Sequence, residues 1–423
     1  MTPKPSLTGM PASGWRQYEI EQRLHELLAS DPPLHTGWPD TLWPVLPDKA
    51  LSASRAAMSQ FAHLNGFVKP SSLNVIEAEL LAMVRDHLGV PEDGATTLTV
   101  GGTESNFLAV KGALFKAREN GGVPGQPNMV IPETAHPSFD KASEELGIDV
   151  RRIAVGNEFR ADPEAMANQI DENTVLLVAS TPNYTHGTLD PVKELAALAQ
   201  THDLWFHIDA CVGGCLLPAL KRVAGESSTT PFEYPGVTSV SADLHKFGFT
   251  PTGISTLSVN SSELIRHHSF SIDVASSWPF RPYRRTGFTG SRSGAVLAGA
   301  WATLVALGRD GYEQIAQEIV SGADIFAKGL STIAGFELVA PHESGIIVFT
   351  STDPQCQIER VANVLERDGW PAMLAVSPPR LQFLLSPLPA HYYEEFIEAI
   401  RAAANEVRTG VAIDGAELTT YGA

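Results

Sequence analysis

The sequence predicts an α/β fold, with a large, mostly parallel sheet domain and a small C-terminal α+β domain. Two observations carry this. From about Leu73 onward, short β-like runs alternate with helical segments; after Gly294 the texture changes to long helices and two widely spaced strands. Alternation of β and α implies parallel strands with helices on both faces, because a parallel crossover needs a connection long enough for a helix.

The elements follow in order. Residues 1–50 are rich in Pro and Trp around one amphipathic helix at 17–29, and read as an arm that packs on a neighbour. Strands are expected at 97–100, 129–131, 150–154, 175–179, 204–208, 237–240 and 254–259. Asp162-Pro163 and Asp190-Pro191 each read as a helix start with Asp at the N-cap and Pro at the first helical position. Beyond Gly294, helices are expected at 295–307 and 311–333. Strands follow at 345–350 and 381–385, with helices at 355–367 and 390–407. The chain therefore divides into an N-terminal arm and helix (1–65), a large domain (66–310) and a small domain (311–423), the last boundary lying at Gly308-Arg309-Asp310-Gly311.

Lys246 is the most informative residue. It stands beside His245, among apolar residues, just past a strand-like segment; upstream, His207-Ile208-Asp209-Ala210 closes another apolar run. A lysine able to act as a neutral amine and an aspartate held at a buried strand end are what a pyridoxal phosphate (PLP) enzyme needs. The lysine forms the Schiff base, and the aspartate pairs with the ring nitrogen. Burial is expected to lower the lysine's pKa by desolvating its cation. Gly101-Gly102-Thr103 between a strand and a helix reads either as an anion site at a helix start or as a tight turn with a cap. His136, between a strand and a helix, reads either as a ring stacked on a cofactor or as a cap residue. His207 shares a strand face with Asp209 and reads as its orienting partner or as a core histidine. Thr103, His136, Thr181, Asp209 and Lys246 all follow strands, which points to one shared site.

Taken in order, six blocks carry a family resemblance. They are Gly101-Gly102-Thr103-Glu104-Ser105, residues 135–142, residues 180–187, His207–Gly214, Gly236–Lys246, and Gly290-Ser291-Arg292-Ser293-Gly294. The series resembles sphingosine-1-phosphate lyases, within the PLP-dependent group II decarboxylase family, from about Asn65 to the C-terminus. The resemblance implies PLP fold type I, like aspartate aminotransferase. It implies Lys246, Asp209 and His136 as catalytic residues. Gly102, Thr103 and His245 are implied at the cofactor phosphate, with Thr181 and Ala210 lining the site, and no metal. It also implies a homodimer in which the loop with Gly290 and Ser291 reaches the neighbour's cofactor. The bland alternative for that loop is a glycine-rich connector.

Three departures from the family pattern bear on substrate. The Asn65–Glu77 segment lacks the family's His and Asp, Phe247, Phe249 and Thr252 replace two phenols and a cation after the lysine, and Ser293 stands where proline is usual. Lys69, Arg281, Arg284 and Arg285 are candidate replacement cations. The leading expectation is a carbon–carbon lyase that splits a 2-amino-3-hydroxy compound, phosphorylated or not, into an aldehyde and an amine. The alternatives are an L-amino-acid decarboxylase and a PLP-binding protein without turnover.

Composition agrees. The 423 residues are 43% hydrophobic and 18% charged, with a net charge of −18, which argues against nucleic acid or an anionic membrane as partner. No run approaches the ~20 apolar residues of a membrane span, and the N-terminus lacks the core of a signal peptide. Eukaryotic members of the resembled family look membrane-anchored; this chain resembles a soluble version. Three cysteines, Cys211, Cys215 and Cys356, fit a reducing, cytoplasmic compartment, and packing is their expected role.

Overall fold

Seven strands build the central sheet of the computed structural model: β1 (Ala95–Thr99), β2 (Asn128–Pro132), β3 (Asp149–Ile153), β4 (Thr174–Ser180), β5 (Trp205–Asp209), β6 (Ser239–Asp243) and β7 (Ser255–Val259). The structure describes residues 10–11, 13–28, 47–65, 71–226, 230–273, 278, 281–370 and 372–410. Lys69 and most of the Pro/Trp-rich arm lie outside the described residues.

The spatial order is β1-β7-β6-β5-β4-β2-β3. Only β7 runs against its neighbours, pairing antiparallel with both β1 and β6. The remaining strands therefore share one direction, and their carboxyl ends meet along one edge. β2, β4, β5, β6 and β7 are buried along their whole length, whereas β3 at the sheet edge is half exposed. That burial on both faces is why β2 and β4 read as continuous apolar runs, whereas β6 alternates Ser and Asp with Val and Ala although it is equally buried.

Each helix forms for a local reason. Gly102–Glu119 buries Leu108, Ala109, Val110, Ala113 and Leu114 against the sheet; each large apolar side chain so buried contributes about 1.5–3 kcal/mol. Asp162 caps the Pro163–Ala167 helix, accepting from the N–H groups of Glu164 and Ala165. Asp190 behaves differently from the sequence expectation. The next helix starts at Val192 with Pro191 as its cap. The Asp190 carboxylate instead turns inward and accepts from Ala161 N at 2.8 Å and Ser180 N at 2.7 Å. Two buried backbone donors outcompeted the local cap.

The N-terminal region carries a helix at Gln17–Leu28 and a second, unanticipated one at Asp48–Gln60. The second packs on the Gly294–Leu330 helix, where a Cβ on Gly299 would come within 2.8 Å of Met58. The Gly294–Leu330 helix is interrupted at Gly308, whose φ of 61° and ψ of −177° are non-helical. A left-handed φ of this kind favours glycine. A short hairpin, β8 (Phe270–Ile272) and β9 (Tyr283–Arg285), precedes that helix.

The C-terminal part is an antiparallel sheet in the order β10-β11-β13-β12, with β10 (Phe336–Leu338), β11 (Ile346–Ser351), β12 (Met373–Val376) and β13 (Pro379–Leu384). β10 and β12 were not anticipated from the sequence. One face is covered by the Ile358–Arg367 and Ala390–Arg408 helices. Its core is aromatic: Phe326 meets Phe383 edge-on at 4.7 Å, and Phe383 meets Phe396 at 5.4 Å. No helix among the described residues is long and apolar enough to cross a membrane.

Candidate active site

The expected site residues fall on the carboxyl edge of the sheet. β1 leads through Gly101 into the Gly102–Glu119 helix, with Thr103 exposed in its first turn; His136 follows β2, Thr181 follows β4, Asp209 ends β5, and His245 and Lys246 follow β6. Backbone bonds knit these ends together: Thr181 N donates to Asp209 O at 2.9 Å, and Ala210 N to Ser241 O at 3.1 Å.

Lys246 Nζ lies 2.8 Å from Asp243 Oδ2, and that carboxylate side chain is 2% exposed. Burial alone would lower the Lys246 pKa, as the sequence reading expected. The Asp243 and Asp209 carboxylates outweigh it, and the ammonium sits above its ordinary value. His245 Nδ1 donates to Ile254 O at 2.8 Å, and its Nε2 lies 4.0 Å from Asp243 Oδ2.

Asp209 is buried, and its oxygens are already directed. Oδ2 accepts from Asn106 Nδ2 at 2.9 Å; Oδ1 accepts from Cys211 N at 3.1 Å and Ser241 Oγ at 3.3 Å. Burial would raise its pKa, but His136, His207 and the Cys211 contacts pull it below the ordinary carboxylate value. His136 is half-buried; its Nδ1 accepts from Ser138 N at 3.1 Å, and burial lowers its pKa against the opposing pull of Asp209. His207 does not hold Asp209 directly. It is fully buried, and its Nε2 reaches Asn106 Oδ1 at 3.1 Å, so its hydrogen-bonded link to Asp209 runs through Asn106.

Gly102 stands where no side chain fits: a Cβ there would come within 2.5 Å of Cys211 Sγ and 2.9 Å of Asp243 Oδ2. Glu104 straps this turn to the segment before the long helix, accepting from Val100 N and Phe288 N, both at 2.7 Å. Arg292 Nη2 donates to Leu98 O at 2.6 Å from the same segment. Ser291, also in it, is exposed and accepts from Asn65 Nδ2 at 3.0 Å. Gly290 adjoins it. Arg284 and Arg285 lie on β9, where Arg284 is largely exposed and 3.8 Å from Asp273.

Sequence reasoning missed Asn106, Glu104, Ser241 and Asp243 as members of this cluster. Asp243 left a signal, since it precedes Lys246 by one turn. Cys211 was expected only to pack; it is buried between Asn106, Ser241 and Gly102, with its thiol pushed up by burial and by the Asp209 and Asp243 carboxylates.

Comparison with known proteins decides the family. The pyridoxal-dependent decarboxylase conserved domain matches residues 59–352. The chain belongs to the pyridoxal-dependent decarboxylase family. Within that family it is 32% identical over 375 residues to a sphingosine-1-phosphate lyase of Oryza sativa subsp. japonica, covering 87% of this chain and 68% of that protein. It is 33% identical over 332 residues to a probable L-tyrosine/L-aspartate decarboxylase of Methanocella arvoryzae, covering 78% of this chain and 83% of that protein. The solved sphingosine-1-phosphate lyase of Burkholderia pseudomallei superposes with a TM-score of 0.86 at 29% identity, over 96% of this chain and 94% of that one. This pyridoxal-dependent decarboxylase family member is therefore a PLP-dependent lyase of fold type I.

The residues present fit the cofactor of this family. A buried acceptor, Asp243 Oδ1, has no hydrogen-bond partner among the described residues. Beside it stand an amine at Lys246, a buried anionic carboxylate at Asp209 and a glycine turn open to an anion at a helix start. Aldehyde, basic ring nitrogen and phosphate each find a chemical counterpart.

Proposed function

We propose that this protein is a carbon–carbon lyase that cleaves a 2-amino-3-hydroxy compound bearing an anionic group, sphingosine-1-phosphate-like in its reacting end, into an aldehyde and an amine. The observation that carries the reading is likeness at both levels, sequence and structure, to proteins that are sphingosine-1-phosphate lyases. Bound PLP supplies an electron sink for the pair released when the bond breaks. Lys246 holds the cofactor through Nζ, Asp209 keeps a proton on the ring nitrogen, and His136 covers one ring face. Gly102, Thr103 and His245 surround the phosphate, joined by Gly290 and Ser291 of a second subunit; Thr181 and Ala210 line the remaining wall.

A buried cation supports the anionic substrate group. Arg380 is 8% exposed on β13, and its Nε has no hydrogen-bond partner among the described residues. Gln382, next on the same strand face, donates to Tyr184 O at 2.5 Å, and His186 of that loop is also buried with Nε2 unpartnered. A guanidinium buried without a counter-charge is costly, and a ligand carboxylate or phosphate would offset it.

A homodimer is supported by apolar side chains left exposed: Val100 43% beside the Gly102 turn, Phe288 58% on the segment strapped to it by Glu104, Phe115 40% farther along the Gly102–Glu119 helix and Phe270 56% on β8. Phe288 already packs on Phe107 at 4.8 Å, so the patch is ordered. We also assign a cytoplasmic location and the divisions 1–65, 66–310 and 311–423.

The Methanocella relative favours a second reading, amino-acid decarboxylation, which draws on the same electron sink. Incubating holoprotein with pooled amino acids, phosphorylated amino alcohols and sphingoid phosphates separates them. An aldehyde product is expected; carbon dioxide would replace the lyase reading with the decarboxylase, and neither product would leave a PLP-binding protein without turnover.

A further inference from the structure

Five buried side chains form one relay that ends on Asp209. Trp205 Nε1 donates to Ser239 Oγ at 2.7 Å, and Ser239 Oγ meets His207 Nδ1 at 2.8 Å. His207 Nε2 meets Asn106 Oδ1 at 3.1 Å, and Asn106 Nδ2 donates to Asp209 Oδ2 at 2.9 Å. His207 and Ser239 are fully buried and Asn106 is 1% exposed.

The relay has only one direction. An ionised carboxylate only accepts, so Asn106 must turn its NH2 toward Asp209. The second amide hydrogen goes to Ser138 Oγ at 3.0 Å. The amide oxygen then faces His207, whose Nε2 must carry the hydrogen. Burial keeps the ring neutral, with its pKa lowered to about 4, so Nδ1 offers its lone pair. Ser239 fills that lone pair with its O–H, and the serine oxygen accepts the indole N–H, which can only donate. Every donor has an acceptor, and reversing any one link sets two like groups face to face.

We propose that Asn106 is the positioning residue for Asp209: its amide fixes Asp209 as the anion and, through the relay, fixes His207 as the neutral Nε2–H tautomer. This rests on the reading of Asp209 as the partner of the cofactor's ring nitrogen. The geometry resists protonation of Asp209, because a proton on Oδ2 would confront the Asn106 N–H, and one on Oδ1 the Cys211 N–H. The titratable groups around the carboxylate are His136, His207, Cys211 and, further off, Asp243 and Lys246. Asn106 lies one turn past Gly102 on the same helix. One helix thus serves both ends of the cofactor, with its first turn at the phosphate and its second at the ring nitrogen's partner.

The test compares holoenzyme carrying Asn106→Leu, His207→Phe and His207→Gln with the unaltered protein. Asn106→Leu keeps the branched heavy-atom skeleton and removes the amide. It should speed cofactor loss about tenfold, which is ~1.4 kcal/mol, shift the pH titration of the visible cofactor band, and lower kcat with little change in KM. His207→Phe should show the same signature more weakly. His207→Gln, which keeps an N–H toward Asn106, should restore the band. An Asn106→Leu enzyme with unaltered band titration and cofactor retention overturns the proposal. Should that variant not fold, nitrogen NMR of the unaltered protein decides: a pyrrole-type Nε2 and pyridine-type Nδ1 on His207 at neutral pH supports the relay, and the reverse tautomer overturns it. Asp209→Asn is the control. An unchanged band there sinks the reading of Asp209, while the NMR result still judges the relay.

Discussion

Asp243 Oδ2 sits 2.8 Å from Lys246 Nζ, three residues upstream at the end of β6 and almost wholly buried. The lysine is therefore held as an ammonium by its own sequence neighbour. In the apoprotein this pair governs reactivity. Asp243→Asn should lower the Lys246 pKa, because the strongest opposition to desolvation is then gone and the Asp209 carboxylate opposes it more weakly. The expected outcome is faster acylation of Lys246 at pH 8 in the variant, read by mass spectrometry of the labelled peptide. The sign for stability follows. A raised lysine value contributes stability that is fully present below the unfolded value of ~10.4 and is lost as pH climbs through the folded one. The contribution of this pair should thus be lost only in strong alkali.

Borohydride reduction of the holoprotein should bleach its visible band and leave a cofactor adduct on Lys246. An adduct mapped to any other lysine would falsify the assignment. Lys246→Ala should keep the fold and lose turnover.

His268 is 1% exposed, and neither ring nitrogen has a partner. Burial lowers its pKa to about 4, with Lys111 adding to the effect. The unfolded chain binds its proton below ~6.5, so the folded state loses stability as pH falls from there toward 4. His268→Leu should remove this liability. A gain of about 2 kcal/mol at pH 5 and a smaller one at pH 7.5 is expected in urea titrations; equal gains at both pH values would tie the effect to packing instead.

Arg380→Met should raise KM for an anionic substrate by about ten- to a hundredfold, since a charge-assisted bond contributes ~1.5–3 kcal/mol. A neutral analogue should feel little change. Similar losses for both substrates would assign Arg380 to structure.

Phe270→Asp and Phe288→Asp place charge in the exposed aromatic patch. Sedimentation should show the unaltered holoprotein as a dimer and the variants shifted toward monomer, with activity lost in proportion. A fully active monomer at micromolar concentration would remove both the dimer and the role given to Gly290 and Ser291.

Much of this molecule was legible in its sequence because the relevant signals are local. Buried parallel strands announce themselves as apolar runs, so six of the seven central strands were placed within two residues of their observed ends, while β6, expected at 237–240, runs three residues further to Asp243. Lys246, Asp209 and His136 stand at ends of such runs. What escaped depends on partners remote in sequence. Asn106 looks like any polar residue in a helix's second turn until the fold brings His207 and Asp209 to it. Asp190 carried a sound cap signal, yet Ala161 and Ser180 claimed its carboxylate. The Asp48–Gln60 helix is rich in Ala and Ser, has a weak apolar stripe and owes its place to the long helix it covers. The raised pKa of Lys246 reversed an expectation that counted burial and omitted Asp243.

The pairing of β5 with β6 aligns Asp209 with Ser241, and Lys246 follows five residues later. Side chains alternate along a strand, so a one-residue slip of β6 would turn Ser239, Ser241 and Asp243 to the opposite face and present Val240 and Ala242 to Asp209. A two-residue slip would restore the faces but carry the lysine ~6.6 Å along the strand. The lysine's reach is thus quantised. Insertions within 239–243 should act all-or-none, whereas an insertion at the exposed Thr252-Gly253 pair need only lengthen a loop.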